Sequence, residues 1–505
     1  MNLIDRNRHN LRLSVSVGPR GVAFPLVLLV LAFTQLALDT SAVVATEVIA
    51  EANTVASVQK YNVVLFVTDD QSPDTGCYGN KAIKTPYLDQ LAAEGTCFDR
   101  AFCTTASCSA SRSVILTGLF NHANGQYGHA HSYHHFKTKS AVKSLPFHLK
   151  DAGYRTARVG KFHVAPEEIY EFDNALPGNS RHPVQMAENC SEFIQAENDK
   201  PFFLYFCTSD PHRGGGTYPN DPNQPNAFGN QVKPRKGLKK ISYDPSKVNV
   251  PSFLPDTPVC RSEIAQYYES CSRIDQGLGK LIEILKQAKV YEKTVIIFTA
   301  DHGMAFPGGK TTVYEGGMRV PYVIKHPELK ADSGRSAAMI SHVDIAPTIL
   351  DIAGHKTPQK SFHGRSILPA IQNRQPEKWQ KVYASHTFHE ITMYYPMRVV
   401  RTDRYKLIWN IAHGLPYPFA SDLWAAPTWQ DIYKQGPDAL YGKRTVRDYI
   451  HRPKFELFDL VNDPHESQNV ANDPSYKQIL EQLQNDMKAF QNRSGDPWKL
   501  KWKYE

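Results

Sequence analysis

Apolar residues along the chain fall into two rhythms. Continuous β-branched or aromatic runs, without alternation, occur at YNVVLFVTDD (61–70), RTARVG (155–160), PFFLYFCTSD (201–210) and TVIIFTAD (294–301). Such runs are the pattern of strands buried on both faces of a parallel sheet. Helical patterns lie between them. A Thr-Pro pair opens residues 85–94 and is followed by YLDQLAAE, a helix-start signal. Over 262–287, Ile264, Tyr268, Cys271, Ile274, Leu278, Leu281 and Leu285 recur at spacings of three and four, which is one face of a long helix. Strands alternating with helices predict an α/β fold with a large, doubly wound, mostly parallel sheet.

The ends of these runs carry the chemistry. The first ends in Asp69-Asp70, the second runs into Lys161 and His163, the third into Asp210 and His212, and the fourth ends in Asp301-His302. In open α/β sheets the ligand crevice lies beyond the carboxyl ends of the strands. Four strand ends bearing acids, histidines and a lysine therefore predict one shared polar site rather than separate caps.

From about residue 371 the character changes. Short strand-like runs appear at MRVVRTDRYKLIWN (397–410) and KFELFDL (454–460), and a last helix carries Ile479, Leu480, Leu483, Met487 and Phe490 on one side. The expected organisation is a catalytic α/β domain over 46–370 and a smaller C-terminal domain over 371–505, an antiparallel sheet with a packed helix. Residues 211–258, rich in Pro, Gly and Asn, read as a long ordered loop.

Residues 1–45 are excluded from the fold. Arg6, Arg8, Arg12 and Arg20 precede an uncharged run from Gly21 to Leu38, and small residues follow up to Ala45. This reads as a secretory signal peptide cleaved near Ala45. The run is long enough to just span a bilayer as a signal anchor, a reading weakened by Pro25, Thr34 and Gln35. The expected destination is an exported, periplasmic, extracellular or lysosome-like compartment, with no membrane attachment after cleavage.

Composition narrows the function classes. Of 505 residues, 41% are hydrophobic and 21% charged, which excludes a coiled coil or a wholly disordered chain. The net charge of +8 comes without a basic run of nucleic-acid type, so no nucleic-acid partner is expected. A mildly basic surface suits an acidic or sulfated substrate. Eight cysteines without a C-x-x-C argue against thiolate zinc and thioredoxin-like chemistry.

Asp69, Asp70 and Asp301 supply hard oxygen ligands for Ca²⁺ or Mg²⁺. The most specific segment is TTASCSASRSVILTG (104–118). Its Cys108-Ser109-Ala110-Ser111-Arg112, followed by Leu116-Thr117-Gly118, resembles the signature of type I sulfatases, within the alkaline phosphatase superfamily. VTDD (67–70), GKFH (160–163), SDPH (209–212), TADHG (299–303) and Lys310 agree in order. LTGLFNHANGQYG (116–128), HEITMYYPMR (389–398) and ELFDLVNDPHESQN (456–469) resemble the sulfamidase branch. Two positions depart from the pattern: Ala110 stands where the signature has Pro, and His302 where sulfamidases commonly have Asn.

The resemblance implies a mechanism and a set of roles. Cys108 would be oxidised to formylglycine by a maturation enzyme. Asp69, Asp70, residue 108, Asp301 and His302 would hold one Ca²⁺. Arg112 would brace the formylglycine, and Lys161 and Lys310 would hold sulfate oxygens. His163 would take the proton that starts sulfate release, and His212 would protonate the leaving atom. His135, Arg213, His389, Glu390 and Arg398 are the candidate substrate contacts, while the set His129, His131, His134 and His135 reads as pocket rim rather than a second metal cluster. The expected activity is removal of sulfate from N-sulfated glucosamine of heparin- or heparan-type glycans. The alternatives are an O-sulfated sugar or aryl sulfatase, a phosphodiesterase or phosphonate hydrolase using unmodified Cys108, and a sulfoglycan-binding pseudoenzyme. A second copy of the chain is left open as a partner.

Overall fold

The computed structural model describes residues 60–214, 225–231, 235–331, 334–356, 358–372 and 376–504. The expected signal peptide lies outside the described residues. A sheet of eight strands forms the centre: β1 (Asn62–Thr68), β2 (Thr96–Phe102), β3 (Arg155–Gly160), β4 (Asn174–Leu176), β5 (Phe202–Cys207), β6 (Thr294–Ala300), β7 (Tyr322–Lys325) and β8 (Arg335–Ser341). Their order across the sheet is β4-β3-β5-β1-β6-β7-β2-β8. Every pairing is parallel except those of β7, which runs against β6 and β2.

The four apolar runs read from the sequence are β1, β3, β5 and β6. They are neighbours in the sheet, and their continuous apolarity has a direct cause. In β1, Val63, Leu65 and Val67 enter one apolar cluster while Val64 and Phe66 enter another on the opposite face. Phe66 stacks on Phe206 at 4.6 Å and on Phe298 at 5.3 Å between ring centroids. Each fully buried side chain of this size contributes about 1.5–3 kcal/mol.

Helix α1 (Pro86–Glu94) begins at the Thr-Pro pair. The long helix α3 spans Pro258–Gln287, four residues earlier than the periodicity starts, because Thr257 caps it by accepting the Cys260 N–H and Pro258 occupies its first turn. The strands β2, β7 and β8 escaped the apolar reading. The β2 sequence TCFDRAF and the β8 sequence RSAAMIS carry polar residues because they lie toward the edge of the sheet.

The C-terminal region forms the expected antiparallel sheet, β12-β11-β10-β9, from β9 (Lys381–His386), β10 (Met397–Thr402), β11 (Tyr405–Asn410) and β12 (Phe455–Asp459). The run 397–410 is a hairpin rather than one strand. Helix α4 (Lys477–Arg493) covers this sheet: Leu483 and Met487 join Val400, Leu407, Trp409 and Leu457 in one apolar cluster. The opposite face, including Val399, Ile408 and Phe458, joins the main core, so the second sheet is seated against the first. The described part of the 211–258 stretch contains only a short turn of helix, Pro245–Lys247.

Candidate active site

The four strand ends meet. Asp69 and Asp70 follow β1, and Asp301 follows β6. The Asp301 N–H donates to the Thr68 carbonyl at 3.0 Å, the Asp69 N–H to the Asp210 carbonyl at 3.1 Å, and the Asp70 N–H to Asp301 Oδ1 at 3.0 Å. Successive side chains of an extended strand point to opposite faces. Asp70, at φ 56°, breaks that alternation, and both carboxylates turn into the same crevice. Asp tolerates this left-handed conformation better than most residues.

Helix α2 (Cys108–Thr117) points its N-terminus at the carboxylates, and all ten of its residues are buried. Its polar side chains must therefore find partners, which explains a serine-rich helix. Ser111 Oγ donates to the Asp301 carbonyl, Ser113 Oγ donates to the Ala110 carbonyl at 2.7 Å, and Ser109 Oγ accepts the Ala130 N–H at 3.1 Å. The first residue, Cys108, places Sγ 3.4 Å from His302 Nε2 and 3.8 Å from Asp70 Oδ1. One turn on, Arg112 spans two acids: Nη2 donates to Asp69 Oδ1 and Nε to Asp301 Oδ2, both at 3.0 Å, and neither partner is exposed. Removing one member of such a buried pair costs about 3–5 kcal/mol.

Two lysines complete the electrostatics. Lys161 Nζ bonds Asp69 Oδ2, and Lys310 Nζ lies 3.2 Å from Asp70 Oδ2 and 3.1 Å from His212 Nδ1. Burial opposes ionisation of Asp69, yet Lys161, His212 and Arg112 hold its carboxyl well below the usual range. His212 Nδ1 meets Asp70 Oδ2 at 2.7 Å. Burial, with Lys310 beside it, pushes its pKa down. His163 sits at φ 58°, with Nε2 hydrogen-bonded to His131 Nδ1. Burial and then Lys161 hold it well below the usual range, so its ring is neutral. Burial pushes the Cys108 thiol well above its ordinary pKa, and Asp69 and Asp70 add to the effect.

A profile described as Sulfatase matches residues 61–355, more than half of the chain. A second, described as N-sulphoglucosamine sulphohydrolase, C-terminal, matches residues 302–420. Over 463 residues the chain is 38% identical to human N-sulphoglucosamine sulphohydrolase, with 86% of this chain and 91% of that protein covered. This chain belongs to the sulfatase family. An ulvan-active sulfatase of Formosa agariphila is 32% identical, with 87% of this chain and 81% of that protein covered. A solved structure, described as a complex with its substrate D-glucosamine-2-N,6-O-disulfate, shares the fold with a TM-score of 0.62 at 20% identity, covering 87% of this chain and 99% of that one.

Sulfatases are hydrolases of sulfate esters and sulfamates, and the family uses a formylglycine and a divalent metal. The donors of this chain fit such an ion. Asp69, Cys108 and Asp301 form one group with ligand atoms within 4.8 Å of one another, and Asp70, Cys108 and His302 form a second. Three buried carboxylates converging on residue 108 are the hard oxygen set that Ca²⁺ or Mg²⁺ takes.

The remaining expected site residues divide. His389 is buried beside the nucleophile helix: Nδ1 meets Ser107 Oγ at 3.0 Å, and Nε2 meets His129 Nε2 at 2.9 Å. His134 Nδ1 accepts the Ile391 N–H at 3.1 Å. Glu390 Oε1 accepts both the N–H and the Oγ–H of Ser421, at 3.1 and 2.9 Å. His135 is exposed at φ 53°.

Two expected sugar contacts are corrected. Arg398 is fully buried and grips Asp496 through Nε and Nη2 at 2.6 and 2.9 Å, so it braces the C-terminal sheet against the segment after α4. Arg213 is 3% exposed, bonds Glu263 and stacks over Phe228 at 4.7 Å, so it braces the start of α3.

One charged residue of the site escaped sequence reading. Asp422 Oδ2 lies 2.8 Å from Lys310 Nζ. Its segment, ASDLW (420–424), follows no apolar strand and carries no spacing signal.

Proposed function

We propose that this chain is a sulfohydrolase that removes the sulfate from nitrogen of N-sulfated glucosamine at the end of a heparin- or heparan-type glycan. The observation that carries this reading is the meeting of two parts of the chain at residue 108: the helix bearing Cys108, and the C-terminal segment whose His389 contacts Ser107. The similarity to human N-sulphoglucosamine sulphohydrolase extends through both parts.

Asp69, Asp70, Asp301, His302 and residue 108 would hold one Ca²⁺, whose charge offsets that of the sulfate group. Formylglycine at 108, made from Cys108 by a maturation enzyme, would supply a hydrated aldehyde whose paired hydroxyls provide both the nucleophile for sulfur and the means of releasing sulfate. Lys161 and Lys310 hold sulfate oxygens as negative charge is rearranged. Arg112, locked between Asp69 and Asp301, keeps the carboxylates in register with residue 108. Asp70 fixes the His212 ring through Nδ1, leaving Nε2 to deliver a proton to the departing nitrogen. His163 takes the proton that starts sulfate release, and its Nε2 faces the exposed His131, a route for that proton to solvent. Residues 1–45 act as an export signal, and no helix among the described residues is long and apolar enough to cross a membrane.

The test compares sulfate release from N-sulfoglucosamine with release from glucosamine 6-O-sulfate and from a small aryl sulfate. Peptide mass spectrometry of residue 108 runs on the same preparation. The reading expects preference for the N-sulfate and an aldehyde at 108. Turnover by protein carrying only thiol at 108 overturns the mechanism, and preference for either O-sulfate overturns the substrate assignment.

A further inference from the structure

A second cavity lies at the other end of helix α2. The helix has ten residues, so its ends are ~15 Å apart at 1.5 Å per residue. Cys108 marks one end, and Phe120, just past the other, lines a cavity of about 310 Å³. The walls are aromatic, from Phe362, Trp379 and Tyr383, and Lys360, Arg365, Lys378 and Arg493 add positive charge. Asp344 is the acid among the lining residues, and its oxygens already accept the N–H groups of Ser341 at 2.8 Å and Arg365 at 2.9 Å. Lys381, also in the wall, is paired with Asp486.

One feature distinguishes this cavity from an ordinary basic surface. Among the described residues, neither the Arg365 nor the Arg493 guanidinium is in a contact ion pair with a carboxylate, while the Arg365 charge acts on Asp344 at longer range. Arg365 lies over the Trp379 ring at 5.4 Å and Arg493 over the Tyr383 ring at 4.4 Å. Stacking fixes the plane of a guanidinium and leaves its edge free to meet an anion.

We propose that this cavity binds a sulfated sugar, separately from the crevice around residue 108. The two planar guanidiniums suit a sulfate group, which accepts paired N–H bonds, and Lys360 and Lys378 in the same wall suit a further anionic group of the same glycan. That the ligand is an anion rests on the cavity alone; that it is a sulfated sugar rests also on the proposed activity. An enzyme that trims one end of a sulfated chain would thereby hold a second sulfated residue at a distance from the reacting one.

The test uses the full-length enzyme and isothermal titration with a heparin-derived disaccharide that is N-acetylated and 6-O-sulfated, so that no N-sulfate can react. The double variant Arg365→Ala/Arg493→Ala should bind it at least 10-fold more weakly, while kcat/KM for a small aryl sulfate stays within twofold of wild type. The single variant Arg493→Ala, which removes one guanidinium and leaves the aromatic wall intact, should bind about threefold more weakly and serves if the double variant folds poorly. Equal affinity in wild type and both variants overturns the proposal. Equal affinity of wild type for inorganic sulfate and for the disaccharide also overturns it, since the sugar then contributes nothing. Protein inactive on N-sulfoglucosamine that still binds the disaccharide through Arg365 and Arg493 supports the cavity while refuting the proposed activity.

Discussion

Lys310 and Asp422 form an ion pair of 2.8 Å across 112 residues of sequence, with only 1% of the lysine side chain exposed. The same ammonium lies 3.2 Å from Asp70 Oδ2. The C-terminal region thus sets the position of a cation in the crevice of the main sheet. Asp422→Ala should let Lys310 move fully onto Asp70 and away from a sulfate oxygen. We expect kcat/KM for any sulfate substrate to fall about 10-fold, or ~1.4 kcal/mol of transition-state stabilisation. Asp422→Asn, which keeps an acceptor, should lose less. Unchanged kinetics in Asp422→Ala would show that Lys310 needs no second partner.

Glu390 acts on the same lysine at one remove. Its Oε1 holds Ser421, the residue before Asp422. Glu390→Ala should therefore depress turnover of N-sulfoglucosamine and of a small aryl sulfate alike, by about 5–10-fold, since Asp422 loses its anchor. Glu390→Gln retains the acceptor and should recover most of the activity on both. Loss confined to the sugar substrate would instead make Glu390 a direct sugar contact.

Three buried carboxylates make the crevice responsive to divalent ions. Burial, with the Asp69 charge beside it, pushes Asp301 up to about 6, the mark of a site where like charges oppose one another. Calcium at a hundredfold excess over its dissociation constant should stabilise the protein by about 2.7 kcal/mol, read as a rise in melting temperature after chelation and re-addition. Asp301→Ala should abolish the rise. The same shift in that variant would place the ion elsewhere.

Buried imidazoles set the acid limit of the fold. His122 bridges Ser385 and Ser494 at 2.7 and 2.9 Å, and burial brings its pKa down from 6.5 to about 3. His342 and His386 are likewise pushed to about 3 by burial. The folded value lies below the unfolded one, so below pH 6.5 the unfolded chain takes up protons that the native chain refuses. The stability present above pH 6.5 is then lost as pH falls toward 3, by up to about 1.4 kcal/mol per pH unit for each such group. Melting temperature should fall from pH 7 to pH 5, and His122→Gln should show a shallower fall. An unchanged slope in that variant would show that His122 already shares a proton in the native state.

The sequence by itself determined the central strands and the acids and bases that follow them. β1, β3, β5 and β6 are covered on both faces, so they must be continuously apolar, and a polar group placed directly after such a run must emerge at the carboxyl edge of the sheet. That is why Asp69, Asp70, Lys161, His163, His212, Asp301 and His302 were legible before any geometry. β2 and the edge strand β8, at one end of the sheet, were not, because partial exposure lets Asp99, Arg100 and Arg335 into them. Only the tertiary structure decided the partners of the remaining charges. Arg398 meets Asp496, Arg213 meets Glu263, Glu390 meets Ser421 and Lys310 meets Asp422. In sequence, an arginine aimed at a ligand is identical to one aimed at a buried carboxylate. The choice is made by which distant segments pack together, since a buried charge is tolerable only where that packing delivers an opposite charge or a hydrogen-bond partner.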